Sequence, residues 1–489
     1  MQAPTTDSVT LPPQQSASGK KATAEPTRGM RSEIPWWVWV LSAALFSVYT
    51  TLSVRIHLRM LSNAFDLGIF EQAVRSYAHG HLPVSEIKGP GFPVLGDHFH
   101  PILALMAPFY RLWPSPIVLL VVQAGLIAVS VVPLVCWARR TLGGVAAAVI
   151  GVCYGLSWGI ASAVGFDFHE WAFAVPLLAC SLTALANDRL YAAVYWAMPM
   201  LLVKEDLGLT VAVIGVLIAL RGERRLGILT AAVGLGGTML AMLVILPSFN
   251  PQGDYAYTFW LTGSSGGMGG PLALLYKFTV GLLTPQTKVS TLLFLLAPTL
   301  FLALRSPLLW VVLPTLLWRF ASGNSSHWDT GHQYSLVLMP IVFAAFIDAL
   351  ARLRLSRANV RRYLAGSTAI TLMILPSFPL WQLVQRATWR TDPRVAVAHR
   401  LMDRIPDGAT VQASNQLVPQ LTNRTSVSMY GWSDSRPNPE WIIVDTRVPL
   451  DRKWPLNPLQ EQWSLDRQRA NGYRTVAAEE GFVLLRHKS

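Results

Sequence analysis

A chain of 489 residues that is 52% hydrophobic and only 14% charged is too apolar for an ordinary soluble protein, and its apolar residues arrive in long blocks. The formal charge of +13 would suit a nucleic-acid binder in a soluble chain, but Lys- and Arg-rich cytoplasmic loops of a membrane protein explain it instead. Nucleic acid is therefore set aside as a partner, and the bilayer takes its place.

Residues 1–33 are rich in Pro, Thr, Ser, Gln and Ala, a composition that cannot bury a core, and read as a disordered cytoplasmic N-terminus. The apolar run that follows starts too late and runs too long for a signal peptide, so it reads as the first span. A span needs roughly 20 apolar residues to cross about 30 Å of hydrocarbon. Trp36–Val54, Ile117–Ala138, Val145–Val164, Leu226–Pro247 and Ser335–Leu350 meet or approach that length. Basic clusters orient them: Lys20/Lys21/Arg28/Arg31, Arg139/Arg140, Arg221/Arg224/Arg225, and Arg352, Arg354, Arg357, Arg361 and Arg362 all belong in the cytoplasm.

An all-α transmembrane bundle of about eleven spans satisfies these constraints. The spans fall near 35–54, 116–138, 143–164, 171–186, 190–203, 207–220, 226–247, 288–304, 307–318, 334–353 and 363–384. The membrane domain covers 34–389, with a large first external loop at 55–115. Residues 190–220 read as two short helices meeting at a recessed external turn, because a single span would place the five-arginine cluster outside. Pro101–Trp113 reads as a re-entrant or interfacial helix. Cys136, Cys153 and Cys180 all fall within spans, so no disulfide framework is visible. The Gly-rich run Thr262–Gly270 reads as a flexible external loop or lid. Residues 390–489 change character, with strand-like runs (Thr410–Ala413, Trp441–Val444, Phe482–Leu485) and helix-like runs (Val395–Arg404, Leu459–Ala470). They predict a small extracytoplasmic α/β domain.

The external loops hold most of the unusual chemistry. The first carries Asp66, then Asp97, His98 and His100; the second carries Phe166-Asp167-Phe168-His169-Glu170-Trp171. Lys204, Glu205 and Asp206 form the third group, and His327, Asp329, His332 and Tyr334 the fourth. An ionisable group at membrane depth costs at least about 2.5–3.5 kcal/mol, so such clustering predicts a polar cavity or mutual pairing. Lys204-Glu205-Asp206 is read either as an ion pair capping two helix ends or as a cation that holds an anionic group while carboxylates position it. Asp66 precedes an amphipathic stretch (Leu67, Phe70, Val74, Tyr77) and is read either as its N-cap or as a general base, two compatible roles. The histidine spacings form no compact metal motif; a divalent metal is left open and no cofactor is indicated.

Phe65-Asp66-Leu67-Gly68-Ile69-Phe70-Glu71-Gln72, Gly96-Asp97-His98-Phe99-His100-Pro101, Val203-Lys204-Glu205-Asp206 and the His332–Tyr334 region together resemble the domain-of-unknown-function 2079 family of predicted bacterial membrane proteins. The layout is similar in turn to GT-C-type glycosyltransferases. That resemblance implies sugar transfer from a polyprenyl-phosphate donor to an extracytoplasmic acceptor at the cell membrane, with Asp66 in the place of the first-loop acidic residue, the catalytic base. In place of the second acidic residue common beside it in such enzymes, Asn63 and Glu71 flank Asp66 here. Asp97, His98, His100, His169, Glu170, Lys204, Glu205, Asp206, His327, His332 and Tyr334 are the expected substrate-binding residues. Two other readings stand beside this one: a transporter or flippase for a lipid-linked or small anionic substrate, and a non-catalytic sensor or scaffold.

Overall fold

A computed structural model describes residues 34–255, 257, 276 and 279–488; the segments 1–33 and 262–270, both singled out in the sequence, lie outside the described residues. The chain is mostly helical, with a small sheet near its C-terminal end. Among the described residues, four helices are long and apolar enough to cross a membrane: Trp36–Leu58, Ile117–Leu142, Arg224–Phe249 and Gln333–Arg352. Gly144–Gly155 and Trp158–Val164 make a fifth if their 44° bend is taken as one broken span. Pro101–Leu112, Glu170–Ala186, Leu190–Leu202, Leu207–Leu220 and Pro307–Ala321 are shorter apolar helices. Residues 190–220 thus form two helices interrupted at Val203–Asp206, and the apolar run after His100 forms a short one.

Hydroxyls and small residues hold the helices together, as expected where lipid supplies no hydrophobic drive between them. From the first helix, Ser42 donates to Ala128 O (3.0 Å), Tyr49 to Gly155 O (2.6 Å) and Ser53 to Val164 O (2.8 Å). Leu207–Leu220 lies against Arg224–Leu240 backbone to backbone. A Cβ added to Gly215 would meet Gly227 O and the Ala231 backbone, so glycine is what permits this approach.

Two minimal strands, β1 (Val84–Ser85) and β2 (Phe92–Pro93), form an antiparallel ladder in the first loop. The C-terminal sheet contains β3 (Thr410–Ala413), β4 (Ser426–Met429), β5 (Trp441–Asp445), β6 (Tyr473–Glu479) and β7 (Phe482–His487) in the order β4-β3-β5-β7-β6. β3 runs parallel to β4 and β5, and β7 is antiparallel to β5 and β6. Three strands and both helices (Pro393–Met402, Pro458–Ala470) match the sequence pattern. β4 (Ser-Val-Ser-Met) and the edge strand β6 carry too little apolar alternation to be read beforehand.

The helix Ile69–Ala78 joins the two regions because it is apolar on two faces. Leu67 beside it, Phe70 and Val74 pack into the helical core, whereas Ile69 and Ala73 pack into the core of the C-terminal sheet. Polar contacts reinforce this seam: Gln72 Nε2 donates to Val427 O (2.8 Å), Arg75 Nη1 donates to Thr422 O (2.8 Å), and Arg436 pairs with Glu86 (2.7 Å).

Candidate active site

The four polar loops converge. Each is a break between helices: Asp66 between Trp36–Leu58 and Ile69–Ala78, His98 before Pro101–Leu112, Glu170 before Ala174–Ala186, and Lys204 before Leu207–Leu220. The fourth, residues 322–334, lies between Leu313–Ala321 and Leu338–Arg352. Such breaks leave backbone and side-chain polar groups at helix ends, where they pair only with one another.

Asp66 Oδ1 lies 3.1 Å from His169 Nε2, a charge-pairing distance whose angle falls outside that of a hydrogen bond. Asp66 is no N-cap: Gly68 occupies that position for Ile69–Ala78, and no side chain caps the helix. Its backbone instead adopts φ 90° and ψ −96°, a conformation L-residues rarely take and one that costs on the order of 1–3 kcal/mol. Freed from capping, the carboxylate points to His169 and stays partly exposed.

Around this pair the sequence-predicted residues meet. His98 Nδ1 lies 2.7 Å from Glu205 Oε1, and the His98 ring stacks on Tyr257 at 4.5 Å. Glu205 Oε2 also accepts from Phe99 N (3.0 Å). Burial alone would raise the Glu205 carboxyl, but the His98 ring and the Lys204 ammonium outweigh it and hold it down at about 2. Asp97 pairs with Lys88 at 2.9 Å and accepts from Tyr257 Oη at 3.0 Å. Gly96 lets this bend reach the helix ending at Phe249, since a Cβ there would strike the Phe249–Asn250 backbone, and Asn250 Nδ2 donates to Gly96 O at 3.0 Å.

Lys204 Nζ donates to Glu170 Oε1 (2.8 Å) and sits 5.2 Å from the Trp171 ring. Its partner therefore comes from another loop, not from the adjacent Glu205 or Asp206. Burial would lower the Lys204 pKa, but the carboxylates of Glu170, Glu205 and Asp206 outweigh it and keep the ammonium charged. Asp206 is buried with Oδ1 unpartnered, and burial pushes it up to about 6 despite Lys204. Burial pushes His100 down to about 4, so it is a neutral ring against Phe70.

The fourth loop closes the group on one side. His332 Nδ1 lies 2.8 Å from Asp329 Oδ1, and its ring meets Phe166 at 4.8 Å. Tyr334 packs against His327 (4.8 Å) and Trp171 (6.0 Å). His327 Nδ1 bonds the Ser322 hydroxyl (2.8 Å), and fully buried Arg319 gathers the carbonyls of His327, Asp329 and Tyr334. His327 and Tyr334 thus shape the wall, while His332 reaches toward the Asp66–His169 side through Phe166.

The sequence reading passed over Asp167 as a site residue. Its Oδ2 accepts from Asn63 N (2.9 Å) and Asn63 Nδ2 (3.0 Å), and like Asp66 it has a positive φ, 85°. Burial, aided by the neighbouring Asp66 carboxylate, pushes Asp167 up to about 7. A second acidic residue thus stands beside Asp66 in space, though not in sequence. Lys88, Tyr257 and Arg319 were also missed; only Asp167, inside the Phe-Asp-Phe-His-Glu run, carried a local signal. Among the described residues no group of three His, Cys, Asp or Glu side chains is arranged to hold a metal ion.

This chain belongs to the DUF2079 family of predicted membrane proteins, which matches residues 56–484. No curated relative matches it by sequence. Its fold is similar to that of ArnT from Cupriavidus metallidurans bound to undecaprenyl phosphate: TM-score 0.53, 14% identity, covering 92% of this chain and 98% of that one. The apo state of the same protein gives a TM-score of 0.52 at 14% identity, over 92% and 97% of the two chains. At that identity the likeness establishes a shared fold, the layout expected from the sequence motifs.

Proposed function

We propose that this member of the DUF2079 family is a GT-C-like membrane glycosyltransferase that moves a sugar from a polyprenyl-phosphate donor to an extracytoplasmic acceptor. The observation that carries the reading is the convergence of four loops on one strained carboxylate, Asp66, facing His169 at 3.1 Å. That a solved protein of similar fold, ArnT, is seen bound to undecaprenyl phosphate supports the donor class. In this reading the bundle crosses the membrane about eleven times, with a cytoplasmic N-terminus and an extracytoplasmic domain from 390 onward.

Asp66 takes the proton of the acceptor hydroxyl, whose oxygen bonds to the anomeric carbon. The bond from that carbon to the phosphate oxygen breaks, and polyprenyl phosphate departs with the electron pair, leaving an inverted linkage. A positioned base of this kind contributes about 10²–10⁴-fold. Lys204 is the cation for the departing phosphate, since only one of its three donors is committed to Glu170. Asp97, His98, His100, His169, Glu205, Asp206, His327, His332 and Tyr334 shape the cavity.

The distribution of polar groups favours transfer over transport. Two helices run from the site to the basic end of the bundle: Glu170–Ala186 ends beside Asp188, and Gln333–Arg352 contains Asp348. At that end a cleft of about 450 Å³ is lined by Arg221, Asp348 and Arg352 among others. Between the two ends the buried side chains are Val175, Leu178, Ala179 and Leu182 on one helix and Leu338 through Ile347 on the other. Ser181 is satisfied by Ala193 O, and buried Thr183, its Oγ1 unpartnered, stands close to the Asp188 end. A polar path along these helices is not built.

The test is purified protein in lipid nanodiscs with a panel of polyprenyl-phosphate sugars, followed by mass spectrometry. Consumption of one donor with release of polyprenyl phosphate is expected. No consumption, with intact donor exchanged across sealed proteoliposomes instead, would replace transfer by transport.

A further inference from the structure

The strained turn at Asp66, with φ at 90°, costs energy that the surrounding structure must offset. Within the turn, Gly68 N donates to Asn63 O at 3.3 Å, and Ile69 N is shared between Ala64 O and Asp66 O. The firmer contacts come from far along the chain. Asn415, two residues past the end of β3, accepts from Ala64 N through Oδ1 (2.9 Å) and donates through Nδ2 to Asn63 Oδ1 (3.0 Å). Asn63 in turn gives both its N–H groups to Asp167 Oδ2. The amide of Asn415 thus fixes the orientation of the Asn63 amide, and the Asn63 amide holds the second carboxylate beside Asp66.

A carboxamide supplies what this position asks of its side chain at any pH, and an ionised carboxylate does not. The side chain must accept from a backbone N–H and donate to an amide oxygen at once; a carboxylate supplies the first and repels the second. Further contacts to the same domain are Phe65 edge-on to Trp432 (5.0 Å) and Trp454 (5.2 Å) and Gly68 near Val418 and Thr422, with Ile87 and Lys88 of the first loop on the other side.

We propose that Asn415 is a positioning residue for the transfer reaction, so that the C-terminal sheet domain completes the active centre by gripping the Asp66 turn. This rests on the function proposed above. Asn415 acts on the attitude of the base and not on the Lys204 region, so its loss lowers kcat and leaves the donor KM in place.

The experiment uses the full chain and two variants, Asn415→Ala and Asn415→Asp. With the donor that wild type consumes, Asn415→Ala is expected to lose at least tenfold in kcat with KM within twofold. Asn415→Asp is expected to recover activity, relative to wild type, as pH falls below about 5 and its carboxyl gains a proton to donate. Hydrogen exchange over residues 63–69 gives a second readout that needs no turnover: faster exchange in Asn415→Ala with unchanged protection in the long helices. A kcat within twofold of wild type, a defect confined to KM, or unchanged exchange at 63–69 overturns the proposal. If wild type consumes no donor while exchange responds as stated, the transferase reading fails and the grip on the turn survives.

Discussion

The Lys204–Glu170 pair offers a quantitative test of how the site is held together. Its atoms are 2.8 Å apart, with 13% and 1% of the two side chains exposed. At an effective dielectric of about 20 the attraction is roughly 6 kcal/mol, most of it offset by desolvation of both ions. Removing one partner leaves the other charge buried, which costs about 3–5 kcal/mol. The two losses should differ. Glu170→Gln leaves Lys204 with the carboxylates of Glu205 and Asp206, whereas Lys204→Met leaves Glu170 and Asp206 without their ammonium, only Glu205 keeping its His98 partner. Unfolding in mixed micelles should therefore place Lys204→Met near the top of that range and Glu170→Gln near the bottom. The double variant should fall short of the sum by at least about 2 kcal/mol. Equal single losses that add within about 0.5 kcal/mol would refute the pairing and the reasoning built on it.

Two further outcomes follow from the geometry. Burial raises Asp167 from the ordinary carboxylate range to about 7, so between pH 4 and 7 the folded chain keeps a proton that the unfolded chain has released. Stability then falls as pH rises through that window, by on the order of 4 kcal/mol in all. Asp167→Asn removes this dependence, and its unfolding free energy relative to wild type should climb from pH 5 to pH 8; parallel profiles would contradict the assignment. Gly227→Val would drive a branched side chain into the backbone of Gly215 and Ala219. It should cost several kcal/mol and prevent recovery of monodisperse protein, whereas Gly236→Ala, with nothing near its Cβ, should behave as wild type.

What the sequence made legible was whatever has a period or a run. Apolar blocks announced the long helices, and the density of His, Asp, Glu and Lys at one set of helix ends announced which loops would gather. The amphipathic stretch after Asp66 was visible as one apolar face. That it has a second, Ile69 and Ala73, was hidden because alanine marks neither face strongly. Partnerships were not legible, since each joins loops distant in the chain: Lys204 is bonded to Glu170, not to its neighbours, and His98 to Glu205. Asp66 looked like a helix cap because an acidic residue before an amphipathic run usually is one; the φ of 90° that turns it toward His169 has no sequence signature. Asn415 lies 352 positions from Asn63 and resembles any asparagine after a strand.

The most direct test of the account compares wild type with Asp66→Asn on a donor that wild type consumes, in single-turnover conditions in lipid. The rate of polyprenyl phosphate release should fall by about 10²–10⁴-fold, with folding and donor binding retained, because the amide keeps the shape and cannot accept the proton. A variant that releases product at the wild-type rate would show that Asp66 is not the base.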